Sequence, residues 1–268
     1  MDVTTVPTIA AVEPLTNAEI STNQSLTNPV GLAPEAALPK VTTSSSHDYA
    51  HRFALTTSRA NTKEPFTLML TAEVATADVL QKLTEDELRE LLYTRAIRRL
   101  TLTLGKHPRT FIAEAADFSA VACWEACRVK DAMTPQQIDD MIAHPTDGSS
   151  PRPHFANFVR KIEIVRTRHL YPLCQQSSAD DKPDFWHLTM MARDPTVPYV
   201  KGAVRAIMAP FLETFLQDDK VPVWLEAGDS RVREIYRHFG FKDVEDGEIV
   251  VNGISTFCMI MLPAASDV

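Results

Sequence analysis

Apolar positions in this chain recur with a helical period in some stretches and run almost unbroken in others, and the alternation between the two predicts an order of elements. "RFAL" near residue 52 is read as a short first strand. Across "TADVLQKLTEDELRELLYTRAIRRLTLTLG", Tyr93, Ile97, Leu100 and Leu104 share one stripe, which predicts one long helix stopped by Gly105. "RTFIAEA" and "SAVACWEA" are two short strands on either side of Asp117, as in a hairpin. "TPQQIDDMIA" has Thr134 placed to cap a helix and Pro135 at its first position.

After the polar loop "HPTDGSSPRP", a helix is expected through "FANFVRKIEIVRTRHLYPL", and "QQSSADDKPD" ends it as a second loop. "FWHLTMMA" is apolar on both faces, as a strand inside a sheet must be. By strict alternation His187 would share a face with Phe185, Thr189 and Met191. A helical stripe follows through Val204, Ile207, Met208, Phe211, Leu212, Phe215 and Leu216, with Pro210 expected to kink or end it.

"VPVWLEA" is a second interior strand, and Val232, Ile235, Tyr236 and Phe239 mark a further helix with Gly240 just past its end. "FKDVEDGEIVVNGISTFCMIML" closes the chain as a hairpin around Gly247 and Gly253. The order implies an α+β domain, a mixed central sheet flanked by helices. Residues 1 to 45 are rich in Thr, Pro, Ala, Ser and Asn and have no period, so they are expected to form a disordered tail before a domain spanning 46–268.

Composition narrows the classes. With 268 residues, 44% of them hydrophobic and 23% charged, the chain can bury the core of a soluble globular domain. Its net charge of -8 speaks against a nucleic-acid or membrane partner. The first twenty residues hold no Lys or Arg and no long apolar run, and no stretch approaches the roughly 20 apolar residues of a membrane span. A cytoplasmic protein is expected. The four cysteines include the pair Cys123 and Cys127, but no second Cys or His pair at matching spacing follows. Free thiols are therefore expected and no metal.

One junction invites chemistry. "ARDPTVPYVKGAVRAIM" joins a strand to a helix through a single glycine, Gly202, in a chain with only 8 glycines. A helix N-terminus offers unpaired N–H groups and the positive end of a dipole, both suited to phosphate. Gly202 lets the backbone approach closely, and Lys201 and Arg205 add two charges.

The run from Asp184 to Ile249 resembles the core of the GNAT superfamily, the acetyl-CoA-dependent N-acetyltransferases. The family loop Gln/Arg-x-x-Gly-x-Gly/Ala corresponds to Tyr199, Val200, Lys201, Gly202, Ala203 and Val204, so Tyr199 and Val204 depart from it. "VPVWLEAGDSRVREIYRHFGF" is similar to the family's next strand and helix, and "AVACWEA" resembles an early strand of fungal small-molecule GNAT proteins. The resemblance implies a GNAT acyl-CoA N-acyltransferase fold. It also implies an acyl-CoA-binding core at 184–249 and a variable helical insertion at 128–182.

By position, backbone groups of Met191, Ala192 and Arg193 would meet the pantetheine arm and assist the oxyanion. Amides of Val200, Lys201, Gly202, Ala203, Val204 and Arg205 would hold the pyrophosphate. Tyr236 would be the acid that protonates the departing thiolate. His187 and Glu226 are the candidates for the base that removes the amine proton, with His144, His154 and His169 as outlying pocket residues.

The expected function is transfer of an acetyl or other acyl group from acetyl-CoA to an amine or hydroxyl of a small molecule, by direct attack in a ternary complex. Two alternatives stand beside it. One is a silent GNAT-fold binding protein, which the altered loop would favour. The other is different chemistry on an acyl thioester, such as hydrolysis through Cys123 or Cys174.

Overall fold

The computed structural model describes residues 37–73, 77–143, 152–174 and 182–264. The chain divides into two units, Met1–Ala37 and Leu38–Val268, and Ala37 is the one described residue of the first. His144 and the greater part of both polar loops lie outside the described residues.

The second unit is built on a seven-stranded sheet in the order β1-β2-β3-β4-β5-β7-β6. Its strands are β1 (Val41–Ser44), β2 (Phe111–Ala115), β3 (Ala120–Cys127), β4 (Phe185–Arg193), β5 (Val223–Ala227), β6 (Lys242–Val251) and β7 (Ile254–Met261). All neighbours are antiparallel except β4 and β5. That parallel pair is bridged by α7 (Ala203–Thr214), the crossover such a pair requires. β1 falls within the stretch expected to lack structure, so the sheet begins several residues earlier than the composition implied.

One face of the sheet is covered by α7 and by α8 (Ser230–His238). Trp124 and Trp186 are fully buried there, with Phe215 stacked on Trp186 at 4.1 Å. The indole N–H of Trp124 donates to the Ile207 carbonyl at 3.3 Å. The other face is covered by α1 (His47–Ala60) and α4 (Glu85–Leu104) at one end. At the other end α2 (Pro65–Ala72) and α6 (Pro153–His169) enclose Trp224, Phe185 and Leu170. The short α3 (Ala77–Leu80) and α5 (Pro135–Ala143) complete the α-helices of the described residues.

Several expectations change. "RFAL" is not a strand: Arg52–Leu55 lies inside α1. Ala50, Phe53, Ala54 and Thr57 are buried at i, i+3, i+4 and i+7, a helical period that a four-residue window is too short to reveal. The long helix is divided into α3 and α4. Thr84 opens α4 with a capping box, its hydroxyl accepting from Glu87 N at 3.3 Å while Glu87 accepts from Thr84 N at 2.8 Å.

Pro210 neither ends nor interrupts α7, which runs through it to Thr214 and on into a wide turn, Phe215–Asp219. The ring removes one hydrogen bond, and the buried Ala206, Ile207, Met208 and Leu212 hold the segment regardless. Gly247 is no turn residue. It sits in β6, where the register with β7 shifts between Asp243 and Glu248, and a Cβ there would meet the Val244 carbonyl at 2.7 Å. The hairpin turn is Asn252–Gly253 alone, both with positive φ.

Candidate functional site

β4 and β5 are paired for only three residues: Trp186 with Val223, His187 with Trp224, Leu188 with Leu225. Beyond them β3 holds β4 as far as Arg193, and β7 holds β5 as far as Ala227. The parting coincides with a bulge. On β3, Cys123 and Trp124 are consecutive, but their partners are Met190 and Leu188, leaving Thr189 over. Its hydroxyl donates to the Cys123 carbonyl at 3.3 Å. An extra residue bends a strand and resets its alternation. Met191 accordingly packs on the α7 face with Trp186 and Leu188, opposite to His187, contrary to the expectation from strict alternation.

At the root of this split lies a group of buried charges. His187 Nε2 is 2.8 Å from Glu226 Oε2. Glu226 Oε1 accepts from Arg166 at 2.8 Å and from the Trp224 indole at 2.6 Å. His187 Nδ1 faces Glu125 Oε2 at 3.7 Å, and Glu125 Oε1 accepts from Lys106 at 2.9 Å. A carboxylate can only accept, so Nε2 carries a proton toward Glu226, while Nδ1 lies between Glu125 Oε2 and the Arg166 guanidinium, which is 3.4 Å away.

The charges are balanced in pairs. Burial pushes the Glu226 carboxyl up, but His187 and Arg166 outweigh it and hold the group well below the usual carboxylate range. Burial acts on Glu125 in the same way, and there His187 and Lys106 prevail, bringing it down to about 2. Both are anions near neutral pH. Glu226 is thus a poor proton acceptor with its oxygens occupied, and of the two expected bases only His187 has a ring nitrogen, Nδ1, not committed to Glu226.

Tyr236 lies on the other face. It packs among Leu225, Ala227 and Phe241 on the α8 side, whereas Glu226 points away from them. It is 6% exposed, and its hydroxyl makes no hydrogen bond to a described residue. Burial, with the Glu226 charge adding to it, pushes the phenol well above its ordinary value. It therefore stays protonated.

The loop after β4 is anchored by Asp194. This buried carboxylate accepts from Thr196 N at 2.8 Å, from the Thr196 hydroxyl at 2.6 Å and from Arg59 at 2.7 Å. Gly202 then opens α7 at φ 80°, and no side chain caps the first turn. A Cβ on Gly202 would lie 3.1 Å from Leu38 Cδ2. Val204 packs toward the core, and Tyr199 is exposed with the Arg193 guanidinium 5.7 Å from its ring.

The structure thus brings His187 and Glu226 together and leaves Tyr236 across the sheet from them. His154 and His169 lie at opposite ends of α6 and do not join the cluster. Burial pushes the Cys123 thiol up to about 11 and the Cys174 thiol up to about 12, so neither is a nucleophile in waiting. Sequence reasoning missed Arg166, Glu125 and Lys106. A trace of Glu125 was available, as the one charge in the otherwise apolar "SAVACWEA". Arg166 carried no such mark.

No protein-family model matches the sequence, and no curated protein matches it. Among solved structures the chain is similar to the polyamine N-acetyltransferase of Drosophila melanogaster, an enzyme that forms N-acetylagmatine. Identity is 9% over 83% of this chain and 100% of that one, with a TM-score of 0.51. It is also similar to arylalkylamine N-acetyltransferase 2 from Aedes aegypti, 12% identical over 83% of this chain and 98% of that one, with a TM-score of 0.51. The chain has the GNAT acetyltransferase fold, a mixed seven-stranded sheet flanked by helices.

Two outcomes are expected. Gly202→Ala forces an L side chain into the left-handed region against Leu38 and should lower unfolding stability by about 1–2 kcal/mol in urea titration. An unchanged midpoint would mean that the junction relaxes. The second concerns acid. Between the ordinary carboxylate value of 4.5 and the folded value of about 2, the unfolded chain binds more protons at Glu125 than the folded one. That contribution to stability is whole above about pH 5 and fades as the pH falls toward 2. Glu125→Gln should flatten the stability profile over that range, and an unaltered slope would remove Glu125 from the account.

Proposed function

We propose that this protein transfers an acyl group, acetyl foremost, from acyl-CoA to the amine of a small molecule. One observation carries the reading. The sheet parts between β4 and β5, with an imidazole held by Glu226 on one face of the split and, on the other, a buried, protonated phenol that bonds to no described residue. The similar enzymes of known structure act on a polyamine and on arylalkylamines, which supports an amine acceptor.

The residues present suit acetyl-CoA. β4 past Leu188 has no strand partner on its β5 side, so backbone groups of Met191 and Arg193 can meet a pantetheine arm with its two amides, while those of Ala192, in register with Val121, face β3. The uncapped start of α7, with amides from Val200 to Arg205 and the charges of Lys201 and Arg205, suits a pyrophosphate. Val204, at a position the family gives to Gly or Ala, has its side chain packed against the core, which supports a loop whose backbone stays open to the ligand. On this reading residues 184–249 are the acyl-CoA-binding core, and 128–182 supplies α6 with Arg166.

The steps follow from proton positions. An amine attacks only when neutral, and His187 accepts its proton at Nδ1 while Nε2–H stays on Glu226. Arg166 and Trp224 hold Glu226, so the imidazole is fixed in one tautomer and one orientation. As the nitrogen bonds to the thioester carbon, charge gathers on the carbonyl oxygen, and a backbone N–H of β4 at Met191 or Arg193 donates to it. The carbon–sulfur bond then breaks. Tyr236 gives its proton to the leaving thiolate and regains one from solvent.

The silent-scaffold reading has one observation in its favour, the Leu38 side chain lying close over Gly202. Binding decides between the two. Acetyl-CoA at millimolar concentration should raise the melting temperature, and Gly202→Glu should abolish the rise. Thiol release on a panel of small amines should follow, and Tyr236→Phe should lower kcat by about 10²-fold or more. It should cost little stability, since the hydroxyl has no described partner to lose. No thermal shift would sink the cofactor, and full turnover by Tyr236→Phe across pH would sink the acid.

A further inference from the structure

The charge cluster contains a residue for which acyl transfer has no use: Cys127. It lies on β3 two residues after Glu125 and on the same face, and Glu125 is paired in register with His187 on β4. One donor atom from each of Glu125, Cys127 and His187 lies within 4.8 Å of the others. We propose that these three residues form a binding site for a divalent cation of the zinc class.

The donor set is the first argument. A thiolate, an imidazole nitrogen and one carboxylate oxygen favour zinc or cobalt over magnesium or calcium, which prefer oxygen alone. The surroundings are the second. A histidine bound to a metal commonly donates its other ring N–H to a carboxylate, and a metal-bound carboxylate is itself hydrogen-bonded. Both conditions hold here. His187 Nε2 is taken by Glu226, which turns Nδ1 toward Glu125 at 3.7 Å, with the Arg166 guanidinium at 3.4 Å on its flank. Lys106 holds Oε1 of Glu125 and leaves Oε2 facing Nδ1.

Scale and charge agree. Tetrahedral zinc at about 2.0–2.1 Å from nitrogen and oxygen spans about 3.3 Å between two such ligands, so Nδ1 and Oε2 need close by only a few tenths of an ångström. With Cys127 ionised, three anions (Glu125, Glu226, Cys127) face two cations (Arg166, Lys106). Burial and the Glu125 charge push the Cys127 thiol up, so the third anion forms only as the cation displaces the thiol proton, and it then offsets part of the metal's charge. The thiol proton leaves to solvent as the sulfur–metal bond forms, and three protein ligands leave a fourth position for water. Lys106, whose side chain is 62% exposed, marks the way in from the surface.

The cation would bind the same Nδ1 lone pair that accepts the amine proton, so it would switch transfer off. That consequence rests on the acyl-transfer reading. The binding does not.

The test is optical. The full chain is titrated with Co²⁺ alone and read for the near-ultraviolet thiolate-to-cobalt band together with visible tetrahedral absorption. One equivalent should develop both, and Zn²⁺ should displace them. Cys127→Ala should lose the thiolate band while Cys174→Ala keeps it, each checked for folding by thermal melting. If Cys127→Ala does not fold, Glu125→Gln serves instead and should weaken cobalt binding by about tenfold or more. The titration is repeated in His47→Ala. His47 and His51 on α1 place their Nε2 atoms 3.1 Å apart and form a rival surface site, but one without sulfur. No thiolate band from the folded wild type, a band that survives Cys127→Ala, or unchanged affinity in Glu125→Gln would overturn the proposal. Failure of acetyl transfer would leave the band as it is, so the two readings fail separately.

Discussion

The whole arrangement depends on a parallel pairing that lasts three residues and then stops. β4 and β5 hold together from Trp186 to Leu188 and part where Thr189 bulges. A sheet that opens in its middle would ordinarily expose two edges and lose its core. Here each half keeps an antiparallel partner to its end, β3 for β4 and β7 for β5. The α7 face supplies the rest of the grip, with Trp124, Trp186 and Phe215 packed around the root of the split. The opening is therefore a fixed feature of the sheet, and the backbone groups along it remain available to a ligand.

The same root explains why so many charges are buried in so small a volume. Taking a carboxylate out of water costs several kcal/mol unless partners replace the water. Glu226 has three such partners in Arg166, His187 and Trp224, and Glu125 has Lys106 with His187 nearby. Removing any one partner would strand the others, so the cluster behaves as a unit. Its product is an imidazole held in one orientation, with Nε2 on Glu226 and Nδ1 facing Glu125.

Much of the fold could be read from the chain, for identifiable reasons. β4, β5, α7 and α8 have long apolar patterns, and Gly240 ends α8 at φ 99° as a left-handed cap should. Errors arose where the window was short or the signal nonlocal. "RFAL" is four residues of a helix, and the Thr84–Glu87 capping box was legible but lost inside a longer stripe. For the site, His187 and Glu226 were visible as polar residues on apolar strands. Arg166 was not, because a helix surface is full of arginines and only the tertiary packing of α6 selects this one. The bulge at Thr189 was also invisible, and with it the true face of Met191.

The lone glycine between β4 and α7 shows how local and distant demands combine. By sequence, Gly202 could be accounted for by a phosphate loop alone. In the fold it has two further reasons to be glycine: its φ of 80°, and Leu38 packed 3.1 Å from where a Cβ would stand. These reasons do not compete. The first N–H groups of α7 have no side-chain cap, and Asp194 fixes the start of the loop that leads to Gly202. Backbone geometry alone therefore requires glycine there, with or without a ligand. It follows that the glycine by itself carries little evidence of phosphate binding. The weight falls instead on what surrounds it: an uncapped helix end, two nearby cations, and a strand edge that its neighbour has left open.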